Sequence, residues 1–152
     1  MDKSHHKILL GILGERIIAK LLRDNGYTVE ESLNIFDPGK DFLVNGKPVE
    51  VKTQVPLLFK DAFAVSTNQL VKIRSSHAVY WISVPPKKTH DDCAGYVYQL
   101  NPRCNMQFSI WTNRAGRESI IIPRKQPAMK VVHVLTDPDI LSHLRQLSTS
   151  YL

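Results

Sequence analysis

The segment Asp41-Phe-Leu-Val-Asn45-Gly46-Lys-Pro-Val-Glu50-Val-Lys52 constrains the chain more than any other. Asn-Gly between two apolar runs is the strongest local signal for a two-residue β-hairpin, because both turn residues must take positive φ. Strand side chains alternate between faces, so Glu50 and Lys52 share one face and Val51 takes the other. With a two-residue turn, Val44 pairs with Lys47, Leu43 with Pro48, Phe42 with Val49 and Asp41 with Glu50. Leu43–Pro48 then exchanges no ladder hydrogen bonds, so the missing N–H of Pro48 goes unneeded. Asp41–Glu50 is the same closer kind of pair, with Cβ atoms roughly 5 Å apart. A four-residue loop would set Asp41 across from Lys52 and keep all three side chains on one face. Only a three-residue loop would separate them.

Two carboxylates directly opposed destabilise a hairpin. A divalent cation between them reverses the sign. Two carboxylates, a backbone carbonyl and waters form a hard oxygen site suited to Mg²⁺, with Mn²⁺ as a substitute. Such an ion polarises a phosphoryl oxygen and lowers the pKa of bound water. A lysine beside it positions that water and offsets charge developing on the phosphate. The plainer reading is an exposed Glu-x-Lys on a two-sided strand with an unrelated upstream Asp. Against it stand the Asn-Gly turn, the apolar neighbours Val49 and Val51, and a further carboxylate, Glu15.

Glu15 lies in a helix expected over Ser4–Asn25, capped by Ser4 and stopped by Gly26. At 100° per residue, Leu10, Ile17, Leu21, Ile18, Leu22, Ile8 and Ile12 form one apolar arc, with Arg16, Lys20, Arg23 and Asp24 opposite. Glu15 falls inside that arc, where a carboxylate needs a partner or a role. Strands are expected at Tyr27–Glu30, Asp41–Val44, Lys47–Thr53, Ala78–Val84, Gly95–Leu100 and Val131–Leu135. A second hairpin is expected from Met106–Thr112 and Glu118–Ile122, turning at residues 113–116. Helices are expected near Thr67–Ile73 and from Asp137-Pro138 to Leu147, the latter with Asp as cap and Pro at the first helical position. This order fits an α/β fold with a mixed β-sheet core flanked by helices and an added β-hairpin, in a single domain over residues 1–152.

The 152 residues carry a net charge of +6. The excess lies mid-chain: residues 61–130 hold ten basic and four acidic side chains. A concentrated positive field suits a polyanion, with nucleic acid first. The second hairpin offers Asn113, Arg114 and Arg117 near its tip, residue types that read base edges in the major groove. Arg124, Lys125, Lys87, Lys88 and Arg74 would serve phosphates; a solvated hairpin tip is the rival reading. Trp81 and Trp111 read as core or subunit contacts, and His77 and His133 as core histidines. Cys93 and Cys104 match no zinc spacing, and the group His90 to Cys93 reads as a polar loop. With few cysteines and no signal peptide or spanning segment, an intracellular, cytoplasmic and non-membrane location is expected.

Asp41 followed by Glu50-Val51-Lys52 resembles the PD-(D/E)XK nuclease superfamily. Gly14-Glu15-Arg16, Leu21-Leu22 and Gly26-Tyr27-Thr28-Val29 resemble its opening helix and first strand, notably in Holliday-junction resolvases. The likeness covers about residues 11–55. The superfamily often has Pro before its first Asp; here Lys40 precedes Asp41 and Pro38 is nearby, which leaves Asp37 as a rival. The resemblance implies a restriction-endonuclease-like core and a Mg²⁺-dependent endodeoxyribonuclease. Asp41 and Glu50 would be metal ligands, Lys52 the water-positioning lysine and Glu15 an auxiliary acid. In size and element order the whole chain is also similar to small homing endonucleases encoded in bacterial group I introns. That likeness implies site-specific cleavage of double-stranded DNA by a homo-oligomer, a dimer or tetramer, since a near-palindromic cut takes two active sites. The alternatives are a structure-specific nuclease of resolvase type and a catalytically silent DNA-binding module.

Overall fold

The structure is a computed structural model that describes residues 3–31, 42–57, 61–85 and 95–148. It is a mixed α/β fold in which a six-stranded sheet and a three-stranded sheet pack with three helices. The first helix, α1 (Lys3–Asp24), starts one residue before the expected cap. It ends where Gly26 takes φ 88°, with Tyr27 N–H donating to Leu22 O and Gly26 N–H to Arg23 O. That is the double closure only a left-handed residue permits without strain, and it accounts for the glycine. Burial along α1 begins at Leu10 and continues through Ile18, Ala19 and Leu22. Ile8, on the same arc by periodicity, is exposed, because the first turns extend beyond the core.

Next come β1 (Val29–Glu31), β2 (Phe42–Val44) and β3 (Lys47–Gln54), successive antiparallel neighbours. Then follow β4 (Ala62–Val65), α2 (Thr67–Ser75), β5 (Ala78–Ser83), β6 (Gly95–Leu100), β7 (Ser109–Thr112), β8 (Glu118–Pro123), β9 (Met129–Leu135) and α3 (Pro138–Ser148). β3 and β5 run parallel, joined by the crossover through β4 and α2, and the large sheet is ordered β1-β2-β3-β5-β6-β9. β5 is buried at every residue, as expected of a central parallel strand covered on both faces. Ala78, Tyr80 and Ile82 pack with α1 and α3, while Val79 and Trp81 pack under the small sheet and α2. α3 opens as expected, with Asp137 Oδ1 accepting from the N–H groups of Asp139 and Ile140.

The mixed sheet core and the added hairpin are both present, as expected. The second hairpin belongs to a separate sheet ordered β4-β8-β7. Its third member, β4, is a four-residue strand that becomes one by pairing Phe63 with Ile122 and Val65 with Ile120. β7 starts at Ser109 rather than Met106, because the Gln126 side chain bonds both the N–H and the C=O of Gln107 and takes the place of a strand partner. His133, expected in the core, is exposed on the edge strand β9. Trp81 is fully buried and stacks on Phe63 with ring centroids 4.4 Å apart. Among the described residues no helix is long and apolar enough to cross a membrane.

Candidate active site

Asn45 and Gly46 take φ 50° and 81°, the pair of positive values a two-residue hairpin turn requires. The register is Phe42 to Val49, Leu43 to Pro48 and Val44 to Lys47, as the Asn-Gly turn dictates. The turn is also tied to β1: Asn45 N–H donates to Thr28 O at 2.8 Å, and Thr28 N–H donates to Asn45 Oδ1 at 3.0 Å. With the register locked from both sides, strand alternation sets the faces of β3. Glu50 and Lys52 stand on one face, where Lys52 Nζ meets Glu50 Oε1 at 2.6 Å. Their neighbours across the parallel ladder are Val79 and Trp81, both wholly buried. The pair is itself withdrawn from water, with side-chain exposure of 7% for Glu50 and 15% for Lys52. Asp41 lies outside the described residues, as do Asp37, Lys87, Lys88 and the segment His90 to Cys93. Among the described residues no three His, Cys, Asp or Glu side chains gather as a metal-binding group.

The other face of β3 carries Val49, Val51 and Thr53, and α1 packs there. The contact is close at Gly14, where an added Cβ would fall 1.9 Å from Thr53 Oγ1. Glu15, the next residue, is partly buried in that helix. The structure therefore brings Glu50 and Lys52 together and sets Glu15 on the helix against the opposite side of the strand.

The cations proposed for DNA divide into two groups. Arg124 is committed to structure: its Nε donates to Asp61 Oδ1 at 2.7 Å, one Nη also meets Asp61, and the other donates to Ser83 Oγ at 3.0 Å. Its side chain is 19% exposed, so it ties the small sheet to β5 rather than waiting for a phosphate. Arg74 lies over the Phe108 ring, 4.8 Å from its centroid, and remains exposed. Lys125 is 92% exposed, with Asp61 at 3.8 Å. Asn113 is used by its own turn: Oδ1 accepts from the N–H groups of Ala115 and Arg117 while Gly116 takes φ 82°. Arg114 and Arg117 are exposed at the tip.

The chain matches no family model, and comparison with curated proteins finds no relative. Local sequence signals missed several positioning residues. Asp61 and Ser83, which hold Arg124, come from a turn and a buried strand far away in sequence. Gln54, on the face of Glu50 and Lys52, places its amide to bond both the N–H and the C=O of Ala64, at 3.1 and 3.3 Å, and so caps the free edge of β4. No local spacing marks any of them. An acid and a base isolated between apolar runs would have been the only available cue.

Proposed function

We propose that the chain is a metal-dependent DNA endonuclease of PD-(D/E)XK type. One observation carries the reading: Glu50 and Lys52 form a nearly buried ion pair on a strand whose other core positions are apolar. Such a pair is a poor device for stability. Replacing a buried ion pair with packed apolar residues is often neutral, or stabilises by about 1–4 kcal/mol. A pair held at this cost beside a hairpin that leads directly to Asp41 fits use in chemistry. In this reading Asp41 and Glu50 supply carboxylate oxygens for Mg²⁺, or Mn²⁺ in its place, a donor set those hard cations favour. The ion would supply Lewis acidity at the phosphate. Lys52 would hold the attacking water and balance phosphate charge. Glu15, on the helix packed behind the strand, would be the auxiliary acid.

The substrate of this reading is double-stranded DNA. The exposed Arg114 and Arg117 ribbon would enter the groove, and Lys125, Lys87 and Lys88 would meet phosphates. A site-specific, homing-type role, a homo-oligomeric dimer or tetramer and a cytoplasmic setting belong to the same proposal. The test is incubation with Mg²⁺ and either long mixed-sequence duplex or four-way junctions, beside Glu50→Ala and Lys52→Ala. Discrete duplex cuts lost in both variants support the site-specific reading. Cutting of junctions alone moves the assignment to a structure-specific nuclease. Binding without cutting, at low salt and with several divalent ions, leaves a DNA-binding module and overturns the enzyme.

A further inference from the structure

A pocket of about 240 Å³ lies at one end of the large sheet and shares no lining residue with the Glu50–Lys52 pair. At roughly 30 Å³ per liquid water, it has room for about eight waters. Its polar lining comes from three strand ends: His77 before β5, Gln99 and Asn101 at the end of β6 with Arg103 just beyond, and Lys130 on β9. These ends are fastened together. His77 N–H donates to Pro48 O at 2.8 Å, Asn101 N–H donates to Ala128 O at 2.8 Å, and Gln99 pairs with Lys130.

The charge in this pocket is one-sided. Arg103 is held by neutral acceptors only: Nε donates to Asn101 Oδ1 at 3.4 Å and one Nη to His77 O at 3.2 Å. Among the described residues, Lys47, Arg103 and Lys130 form no ion pair. Burial, followed by the charges of Arg103 and Lys47, holds the His77 imidazole below its ordinary value. The Arg103 guanidinium, which has spare donors, and the Lys130 ammonium put two positive charges around one small cavity, with the His77 imidazole beside them and no acid in the lining. A single carboxylate would balance one of these charges. A phosphomonoester or inorganic phosphate brings close to two charges and three oxygens, which suits a guanidinium fork.

We propose that the pocket formed by His77, Asn101, Arg103 and Lys130 binds a phosphomonoester-type dianion. The source is either a phosphorylated nucleic-acid end or a free mononucleotide. The inference does not depend on nuclease activity.

The test uses the full chain carrying Glu50→Ala, so that cutting cannot confuse binding. Inorganic phosphate is titrated at constant ionic strength while the six histidines are followed by NMR, with His77→Asn used to assign His77. The expected result is a saturable shift confined to His77, with its titration moving upward when phosphate is bound. Arg103→Gln and Lys130→Gln should each weaken the apparent affinity about tenfold or more, as loss of a charge-assisted hydrogen bond does, with thermal stability unchanged. Non-saturating shifts equal to those with chloride, or unchanged affinity in both variants, overturn the proposal. Adenosine monophosphate and 5′-phosphorylated and unphosphorylated duplexes then separate the sources. Tighter binding of the phosphorylated duplex than of the mononucleotide assigns the pocket to nucleic-acid ends. Equal binding of the two assigns it to mononucleotides. Equal binding of the phosphorylated and unphosphorylated duplexes overturns the dianion.

Discussion

Lys52→Met isolates the energetics on which the active-site reading rests. The substitution keeps most of the side-chain volume and removes the ammonium 2.6 Å from Glu50. What remains is a carboxylate 7% exposed, beside the fully buried Val79 and next to Trp81 across the ladder. Breaking one partner of a buried pair costs about 3–5 kcal/mol, because the other charge is stranded. The residual exposure of Lys52 places this case near 3 kcal/mol. For about 150 residues each kcal/mol lowers Tm by roughly 2–4 °C, so a fall of about 6–12 °C is expected. Urea denaturation at pH 7 reads the cost directly, provided the slope matches that of the parent. The double variant Glu50→Leu/Lys52→Met should return to within about 1 kcal/mol of the parent or exceed it. A single-variant cost under about 0.5 kcal/mol would show that Glu50 is not desolvated as argued. A double variant as unstable as the single would show that packing, not charge, is at stake.

Three further outcomes follow from other contacts. Gly14→Ala should cost about 1–3 kcal/mol by overpacking α1 against Thr53, and Thr53→Ala in the same chain should recover most of it in thermal melts. Ser66→Ala removes the hydroxyl that accepts from Gln69 N–H in the capping box of α2; the expected loss is about 1 kcal/mol, with faster amide exchange confined to Thr67–Ser75. Burial and nearby cations hold the folded pKa of His77 below its ordinary 6.5, so the stability it contributes is present above pH 6.5 and falls as pH drops through the folded pKa. Arg103→Gln should raise that pKa only in part, because burial is the larger cause. An NMR titration showing no rise would remove Arg103 from the account.

The parts of the fold that were legible rest on local constraints. Asn45-Gly46 determines its own φ values, and a period of two then determines which β3 residues share a face. Gly26 closes α1 through bonds within five residues of itself. β5 is recognisable because a strand buried on both sides must be apolar throughout. What sequence missed is non-local. β4 has only four residues, too few for a period, and its partner Ile122 lies 59 positions from Phe63. The commitment of Arg124 depends on Asp61, 63 residues away, which no spacing rule connects. The side of β3 covered by α1 follows from Gly14 meeting Thr53. Helical periodicity places Glu15 on an inward arc but cannot say which face of the sheet that arc meets.

That last distinction also changes what the net charge of +6 means for a polyanion. Counted along the chain, Arg117 and Arg124 are equal members of one basic stretch. In the fold Arg117 is exposed at a hairpin tip, whereas Arg124 is held by Asp61 and Ser83 with its face 5.9 Å from the Tyr98 ring centroid. An exposed cation that meets a phosphate releases a counterion, and each such contact contributes about 0.9 to the slope of log K against log salt. On the DNA-binding reading, Arg117→Gln should reduce that slope by about 0.9 if the residue meets phosphate, and leave Tm unchanged. Arg124→Gln should do the reverse. It keeps the salt slope and loses about 1–2 kcal/mol of stability, because it breaks charge-assisted hydrogen bonds to a partly exposed carboxylate that Lys125 still faces at 3.8 Å. Measured together, the two variants separate charge that holds the sheets from charge that meets a ligand. A lowered slope with unchanged stability in Arg124→Gln would mean that its ties to Asp61 and Ser83 yield to DNA, and the division of cations drawn here would fail.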